Sequence, residues 1–291
     1  MNSPVSVFEQ HRGRMFGIAY RMLGSAAEAQ DIVQEAWLRW QAADRSEVAE
    51  PAAFLATIVT RLSLTALDSA RVRRETYVGP WLPEPIDTSH DPAVEAEHTE
   101  SLSLAILLLL ERLTPAERAA YVLREAFVYP YAEIALVLDT TPDNARQLTT
   151  RARAHLERER GTVASAQERD RLLAGITAAA QTGDLAALES LLAADVVSLS
   201  DGGGIASAAR KPVVGRSNVA RLVIGLLEKY SEGTTSLLVE VNGEPTIVVV
   251  RDGRPMVVWQ FDFGPDGVRT MFAVLNPEKL HGFESIALSH N

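Results

Sequence analysis

The sequence contains no cysteine. A disulfide framework, a thiolate metal site and a cysteine nucleophile are therefore excluded. Histidine is scarce as well, and none of the six histidines stands four residues from another, which is the spacing of two metal ligands on one helical face. We expect neither a metal ion nor a cofactor.

Long hydrophobic runs are also missing. The longest purely apolar run, Leu104 to Leu110, is far shorter than the roughly 20 residues that a membrane-spanning helix needs. The start of the chain, MNSPVSVFEQHRGR, lacks the basic-then-apolar order of a signal peptide. The sequence therefore predicts a soluble cytoplasmic protein without a membrane partner.

Basic residues are outnumbered, with 28 Lys and Arg against 38 Asp and Glu, for a net charge of −10. This balance argues at first against nucleic-acid binding, because phosphate contacts need cations. The charge is unevenly distributed, however, since the segment from Pro80 to Glu100 holds several acidic residues and no Lys or Arg. The arginines form two clusters, which predict two local cationic surfaces. The clusters are Arg61, Arg71, Arg73 and Arg74, and then Arg146, Arg151 and Arg153.

Two amphipathic helices are predicted at the start of the chain. Residues 5–23 have helical spacing of apolar side chains, and Gly24-Ser25 interrupts the pattern before a second segment, residues 26–40. The second segment has an apolar stripe that should pack inward. A solvated polar face is the simpler explanation of its other side when this helix is taken alone. That other side carries Asp31, Gln34 and Glu35.

A third helix is predicted after the polar loop Gln41 to Glu50, because Pro51 suits the first turn of a helix. This helix ends in the basic residues Arg71, Arg73 and Arg74. Basic residues also collect at helix C-termini because of the helix macrodipole, which is an alternative explanation of the cluster. Arg61 lies in mid-helix, so that alternative does not cover it.

Residues 77–100 are predicted to be an acidic, proline-rich linker. Within it stands the segment WLPEP, whose first three residues are Trp81, Leu82 and Pro83. A tryptophan is unusual in an exposed linker, so we expect this segment to dock on another surface.

A helix-turn-helix is predicted after the linker. The sequence from Thr114 to Glu117 has the arrangement of a capping box, and further on a short helix, YAEIALVL, precedes a turn at Asp139 and a helix that begins at Pro142. The outer face of that last helix offers side chains that hydrogen-bond bases and phosphates. A plain helical hairpin remains an alternative. The outer residues are Arg146, Gln147, Thr150 and Arg151.

These segments together resemble the bacterial sigma factors of the extracytoplasmic-function (ECF) group. The runs AEAQDIVQEAWLRW, RLSLTALDSARVRRE and LTPAERAAYVLREAF, followed by YAEIALVL and RQLTTRARAHL, match that family in order and spacing. The resemblance implies sigma region 2 in residues 1–76 and sigma region 4, with its helix-turn-helix, in residues 101–160. Both would be all-α domains.

The resemblance also implies roles for individual residues. Asp31, Gln34 and Glu35 would contact core RNA polymerase. The loop Gln41–Glu50 and the basic helix, with Arg61, Arg71, Arg73 and Arg74, would engage the melted −10 promoter element. The −35 element would be recognised by Arg146, Gln147, Thr150 and Arg151.

Residues 166–288 have a different pattern. Two helices separated at Gly183-Asp184 precede alternating strands, with turn pairs such as Asn242-Gly243 and Asp252-Gly253 between them, and one further helix interrupts the strands. This pattern predicts an α+β domain with a curved antiparallel sheet. It resembles the SnoaL-like branch of the NTF2-like fold, a cone-shaped scaffold that hosts enzymes as well as pure binding modules.

Catalysis is not expected in this domain, although Asp195, Asp201 and Asp262 are candidate bases and Tyr230, Trp259 and Phe261 are candidate pocket residues. No pairing of an Asp with a His or Tyr stands out in the sequence. Three short segments match instead a subgroup of ECF sigma factors that carries such an extension. In that subgroup a lysine normally follows the glycine run, whereas Ile205 stands here. The segments are WLPEP, then DGGG (Asp201, Gly202, Gly203 and Gly204), then NPEKL with Asn276, Pro277 and Leu280.

The sequence as a whole predicts a sigma factor that binds core RNA polymerase and promoter DNA and carries a tethered regulatory domain. We expect DGGG and NPEKL to meet WLPEP, with ordinary turns and a proline-rich spacer as the alternative. A helix-turn-helix repressor with a small-molecule-binding domain is the second hypothesis, and a cyclase-like enzyme is the third. An unidentified small-molecule ligand in the C-terminal domain is left open.

Overall fold

The computed structural model describes residues 3–44, 46, 48–88, 102–160, 162 and 164–289. The described chain divides into two compact units. The first contains residues 3–76 and 102–159, and the second contains residues 77–88 together with the chain from 160 onward. Part of the predicted linker, residues 89–100, lies outside the described residues, as does Ser101 at the start of the predicted region 4.

Three helices begin the first unit: α1 (Pro4–Leu23), α2 (Ala26–Ala42) and α3 (Pro51–Glu75). Ser25 caps α2 by accepting the backbone N–H of Glu28, and Gly24 ends α1 with a left-handed φ of 67°. The predicted break at Gly24-Ser25 is therefore both a C-cap and an N-cap. α1 packs on α2 and α3, which buries the predicted stripe of α2 at Val33, Ala36 and Trp40.

The remaining helices of the first unit are α4 (Leu104–Leu110), α5 (Pro115–Tyr121), α6 (Tyr131–Val137) and α7 (Pro142–Arg160). The predicted capping box is present at the start of α5. After α5 the chain forms a π-helical turn, Val122–Ala126, that the sequence did not indicate. Asp139 joins α6 to α7 with a φ of 51°, so it adopts the left-handed conformation that is usually left to glycine in such turns.

One helix among the described residues, α3, is long and apolar enough to cross a membrane by length and composition alone. Core helices of soluble proteins pass the same test, so this is weak evidence. α3 packs against α1 and α2, and its residues Leu55, Val59 and Leu67 are buried inside the helical unit.

The second unit contains one six-stranded sheet in the order β2-β1-β6-β5-β4-β3. Its strands are β1 (Leu192–Asp201), β2 (Val213–Val214), β3 (Thr234–Val241), β4 (Glu244–Arg251), β5 (Arg254–Gly264) and β6 (Gly267–Val274). The sheet was expected to be antiparallel, and this is wrong for one pair of strands, because β1 and β6 are parallel. These two strands are distant in sequence, and the alternation of apolar residues carries no information about strand direction.

The turn pairs between the strands have the predicted chemistry. Asn242 and Gly243 both have positive φ, at 55° and 72°, and Asp252 and Gly253 have φ of 51° and 68°. Two consecutive positive φ values are those of a type I′ turn, which joins adjacent antiparallel strands. Register irregularities in β4–β5 and β5–β6 add local bends to the sheet. The predicted curved α+β cone is confirmed in these respects.

Helices α8 (Ala166–Thr182), α9 (Leu185–Leu191) and α10 (Arg216–Tyr230) share a core with the sheet, and α11 (Glu284–Ser289) follows at the end. Gly183 ends α8 with a φ of 68°, and the side chain of Asp184 caps α9. The sequence predicted a break between two helices at this pair. The core between helices and sheet is apolar. It includes Leu172, Ile176, Leu188, Val219, Phe261, Phe263 and Met271.

Candidate functional site

The polar face of α2 points away from the helical core. Asp31 and Gln34 are exposed, while Val33 and Ala36 on the opposite side are buried. Glu35 forms an ion pair with Arg39 one turn later, at 3.0 Å between Oε1 and Nε. Asp31 and Gln34 can therefore contact another molecule at little cost to the helical core.

The loop between α2 and α3 forms an open pocket of about 420 Å³. The sequence predicted a polar loop here, but not a concave surface. Phe54, on the first turn of α3, supplies an aromatic wall. The lining residues are Ala43, Asp44, Val48, Ala49, Glu50 and Phe54.

The basic residues of α3 have different environments. Arg71 is exposed and pairs with Glu75 at 3.4 Å, and Arg73 is exposed and pairs with Glu28. Surface pairs of this kind contribute little to stability and exchange readily for other partners. Arg71 and Arg73 thus remain accessible to a polyanion.

Arg74 departs from the expectation that it contacts DNA. Its side chain is only 17% exposed, pairs with Glu111 and donates to the backbone carbonyl of Leu23. Glu111 also accepts a bond from Arg118, which in turn donates to the carbonyl of Met22 at 2.7 Å. Arg74 therefore belongs to a buried ion cluster that caps the C-terminal end of α1.

Burial lowers the pKa values of the two arginines in this cluster. Desolvation lowers the pKa of Arg118 to about 10, and desolvation together with the neighbouring Arg118 charge lowers the pKa of Arg74 to about 10. Both guanidinium groups are still charged at neutral pH, and Glu111 is the carboxylate that pairs with both of them.

Arg61 also has protein partners. Its Nε donates to the carbonyl of Val137 at 3.0 Å, and its Nη2 donates to the carbonyl of Leu136 at 2.8 Å. Both carbonyls belong to the last turn of α6, the first helix of the helix-turn-helix. The sequence could not indicate this contact, because its partners are backbone atoms 75 and 76 residues away.

The outer face of α7 carries the predicted −35 residues, and all four of them are exposed. Arg146 lies over the ring of Tyr131, with 5.1 Å from guanidinium carbon to ring centroid, and Arg151 donates from Nε to Glu117 at 3.1 Å. Thr150 donates its hydroxyl to the carbonyl of Arg146, and Gln147 is on the same exposed side. Arg146 and Gln147 lie in the N-terminal half of the helix, which is the part that contacts bases in helix-turn-helix proteins.

In the second unit, buried Asp201 organises a site at the end of β1. Its side chain is fully buried, and its carboxylate accepts four hydrogen bonds from three parts of the chain. The donors are the hydroxyl of Tyr77 (2.6 Å), the backbone N–H of Leu82 (2.9 Å), the backbone N–H of Gly203 (3.1 Å) and the ammonium group of Lys279 (2.8 Å). Residues of the linker, DGGG and NPEKL thus meet on one carboxylate.

Aromatic side chains surround the ion pair. The ammonium group of Lys279 lies 4.5 Å from the ring centroid of Trp81 and 5.1 Å from that of Tyr77, and it also donates to the carbonyl of Leu82. Asn276 donates to the Tyr77 hydroxyl at 2.9 Å. Burial, followed by the hydrogen bond to Asp201, raises the pKa of Tyr77 above its usual range, so the hydroxyl stays protonated and donates.

The glycines of DGGG fit where other residues would not. Gly203 has a φ of 62°, and a Cβ atom there would lie 2.4 Å from the side-chain nitrogen of Asn276. A Cβ on Gly202 would lie 2.4 Å from the carbonyl oxygen of Ala206. Close approach of NPEKL to the glycine run therefore depends on glycine.

The other part of the docked segment extends the sheet beyond β3. Asn242 donates its backbone N–H to the carbonyl of Ile86 at 2.9 Å, and the backbone N–H of Thr88 donates to the carbonyl of Glu240 at 3.2 Å. Asp87 forms a β-bridge with Val241. Residues 77–88, predicted as linker, are therefore held by the second unit at both ends.

Two residues of this site were missed. Tyr77 stood at the edge of the predicted linker, and Lys279 stood inside NPEKL without an assigned role. Ile205, which stands where the subgroup normally has a lysine, is exposed. The positive charge beside Asp201 comes from Lys279.

The candidate catalytic residues do not form a site. Asp195 is exposed, Asp262 pairs with Arg269 at 3.3 Å, and Asp201 is held by the linker. Phe261 belongs to the apolar core, and Trp259 packs against it. In the part of the chain that the structure describes, no group of three or more His, Asp or Glu residues could hold a metal ion.

Comparison with known proteins identifies the two helical regions. Residues 7–73 match the family described as Sigma-70 region 2, and residues 103–156 match the family described as Sigma-70, region 4. The chain is 36% identical to the ECF RNA polymerase sigma factor SigJ of Mycobacterium tuberculosis, over 96% of this chain and 93% of the relative. This protein belongs to the ECF sigma factors. A repressor would have no need of region 2, so that hypothesis receives no support.

Further comparisons place this ECF sigma factor among similar chains. The crystal structure of M. tuberculosis SigJ covers 96% of this chain and 98% of its own, with 36% identity and a TM-score of 0.77. The probable ECF sigma factor SigI of M. tuberculosis is 33% identical over 85% of this chain and 84% of the relative. An NTF2-like protein from Burkholderia xenovorans covers 43% of this chain and 96% of its own, with 18% identity and a TM-score of 0.29.

Proposed function

We propose that this sigma factor binds core RNA polymerase through the exposed face of α2, with Asp31 and Gln34 as the central contacts. Their exposure supports this role, because residues that do not stabilise the helical core are available for a partner. Glu35 lies on the same face and can exchange its Arg39 partner for one on the polymerase.

We assign promoter contacts to two surfaces of the helical unit. The pocket beside Phe54 has room for an unstacked base, and aromatic side chains stack on such bases. Arg71 and Arg73 would neutralise backbone phosphates nearby, and Arg61 is a further contact in the promoter-bound state. On α7, Arg146 and Gln147 would contact base edges of the −35 element, whereas Thr150 and Arg151 lie further along the helix and would contact its backbone.

The C-terminal unit is proposed to regulate the use of these surfaces through the linker. The observation that carries this proposal is the set of four hydrogen bonds on Asp201, which ties the segment between regions 2 and 4 to the C-terminal unit. Residues 77–88 are half of the predicted linker, so docking fixes the path of this half of the chain that joins the two promoter-binding regions.

A tethered domain suits this task. A short tether gives an effective concentration on the order of millimolar, so modest contacts keep the segment docked without a separate inhibitor. The same contacts can be broken when the polymerase binds the two regions in another arrangement. We infer a regulatory module without covalent chemistry, working in the cytoplasm with polymerase and promoter. No small-molecule ligand is assigned to it.

Hydrogen exchange and transcription on the full-length protein test the proposal. The amide of Leu82 donates to Asp201 and the amide of Thr88 donates to Glu240, so both should be protected from exchange. Asp201→Asn should lower that protection and change promoter output with core polymerase. Asp195→Asn is the matched control, because Asp195 is an exposed residue of the same strand.

Two results would contradict the proposal. Fast exchange at Leu82 and Thr88 in the unmodified protein would show that the segment is not docked. Promoter output that is equal for Asp201→Asn and the control, despite lost protection, would show that docking has no regulatory effect.

A further inference from the structure

The contact of Arg61 with α6 joins region 2 to region 4 within the helical unit. The last carbonyls of a helix have no partner within the helix, and they carry the negative end of its macrodipole. Arg61 donates to two of them, at Leu136 and Val137, with two nitrogens of one guanidinium group. The fork geometry of arginine suits two neighbouring oxygens, and the compact ammonium group of a lysine fits them less well.

Other contacts hold the same two regions together. Arg14 of α1 donates to the carbonyl of Phe127 at 2.7 Å and to the Tyr129 hydroxyl at 3.2 Å, and it stacks on the Tyr129 ring. Between these two residues Val128 has a φ of 56° and is 62% exposed. A β-branched residue rarely adopts this conformation, so the turn is held there by its neighbours. Arg14 is one such neighbour on region 2.

Promoter binding is incompatible with this arrangement. The −10 and −35 elements lie about 25 base pairs apart, which is about 85 Å at 3.4 Å per base pair. In the structure, Arg61 of region 2 is in hydrogen-bond contact with the helix-turn-helix of region 4. The two regions must therefore separate before each reaches its own element, and the bonds of Arg61 to Leu136 and Val137 must break.

We propose that Arg61 is an autoinhibitory contact that closes region 2 on region 4. In the closed state its guanidinium group caps α6, and in the promoter-bound state the same group is released toward DNA phosphate. The release of Arg61 toward DNA rests on the promoter role assigned to Arg61 above. The closing contact depends only on the geometry of Arg61 and α6.

Distance measurements on the full-length protein test the closing contact. Because the sequence has no cysteine, spin labels can be attached at Asp68→Cys on α3 and Ala132→Cys on α6, both exposed positions. The unaltered background should give one short distance between the labels. Arg61→Ala and Arg61→Lys should add a population at longer distances, because Arg14 and the pair of Arg74 with Glu111 still hold part of the molecules closed. Arg71→Ala, on the same helix without a contact to α6, should not add one.

Promoter binding by the holoenzyme distinguishes the closing contact of Arg61 from its contact with DNA. Arg61→Lys keeps the charge for phosphate but loses the fork, so its apparent promoter affinity should rise by about two- to tenfold as the closed population falls. The promoter affinity of Arg61→Ala should rise less, because this variant also loses the phosphate contact.

Unchanged distances in both Arg61 variants would overturn the closing contact. Longer distances together with equal promoter affinity of Arg61→Ala and Arg61→Lys would uphold the closing contact and refute only the assigned contact of Arg61 with DNA.

Discussion

Replacing Asp201 by Asn removes one negative charge from a fully buried site and leaves its shape nearly unchanged. Asp201 accepts bonds from Tyr77, Leu82, Gly203 and Lys279. The amide oxygen of Asn can keep part of this set, but its nitrogen is a donor and cannot accept. The Lys279 ammonium group, whose side chain is 11% exposed, then lacks a counter-charge.

The expected cost follows from the burial of this pair. Removal of one partner of a buried ion pair typically costs about 3–5 kcal/mol, because the other charge stays buried and unpaired. Lys279 still lies on the rings of Trp81 and Tyr77, and cation–π contacts of about 1–2 kcal/mol offset part of that loss. We therefore expect a loss of about 2–3 kcal/mol in the free energy of unfolding of the C-terminal unit.

Calorimetry of the full-length protein measures this loss. For a unit of this size, a loss of 2–3 kcal/mol corresponds to a fall in Tm of roughly 5–12 °C. Asp195→Asn should change Tm by less than about 2 °C, because exposed substitutions usually stay within about 0.5 kcal/mol. A double-mutant cycle with Lys279→Gln should show strong coupling. Equal Tm values for the two Asn variants would refute the electrostatic account of the site.

Three further predictions concern the helical unit. Joint replacement of Asp31 and Gln34 by Ala should weaken binding to core polymerase, measured by titration, while the Tm measured by calorimetry changes little. If affinity and Tm fell together, this face of α2 would be structural. Arg146→Ala should cost roughly 1–3 kcal/mol of promoter-binding free energy and relax the base preference at one promoter position, whereas Arg151→Ala should weaken binding equally for all sequences. A promoter-library selection distinguishes the two variants, and identical sequence profiles would contradict the assignment. Glu111→Gln leaves two buried arginines without a full counter-charge and should destabilise the unit by about 3 kcal/mol in denaturant unfolding; a loss below 0.5 kcal/mol would show that the cluster is solvated.

The features predicted correctly are those that local spacing determines. Helical periodicity placed Val33, Ala36 and Trp40 in the core, and the pairs Asn242-Gly243 and Asp252-Gly253 predicted the hairpin turns. Each of these depends on a few neighbouring residues and on the conformations open to them, so the surrounding fold seldom changes the outcome.

The features that were missed depend on partners far along the chain. The parallel pairing of β1 with β6 and the ion pair of Asp201 with Lys279 join residues that neither spacing nor composition connects. The meeting of DGGG and NPEKL with WLPEP was expected, but only from the resemblance to a family. Arg74 looked like Arg71 and Arg73 in the sequence, and only packing against Glu111 and Leu23 separates it from them. Charge clusters in a sequence thus predict a cationic helix end, but not which member is buried.

Regulation through the docked linker is best tested by promoter-specific transcription with core RNA polymerase, compared between the full-length protein, Asp201→Asn and Asp195→Asn. We expect specific initiation by the unmodified protein, a changed output across a genomic promoter library for Asp201→Asn, and unchanged output for Asp195→Asn. Initiation at the same promoters and in the same amounts for all three proteins would contradict the proposed regulation through the docked linker.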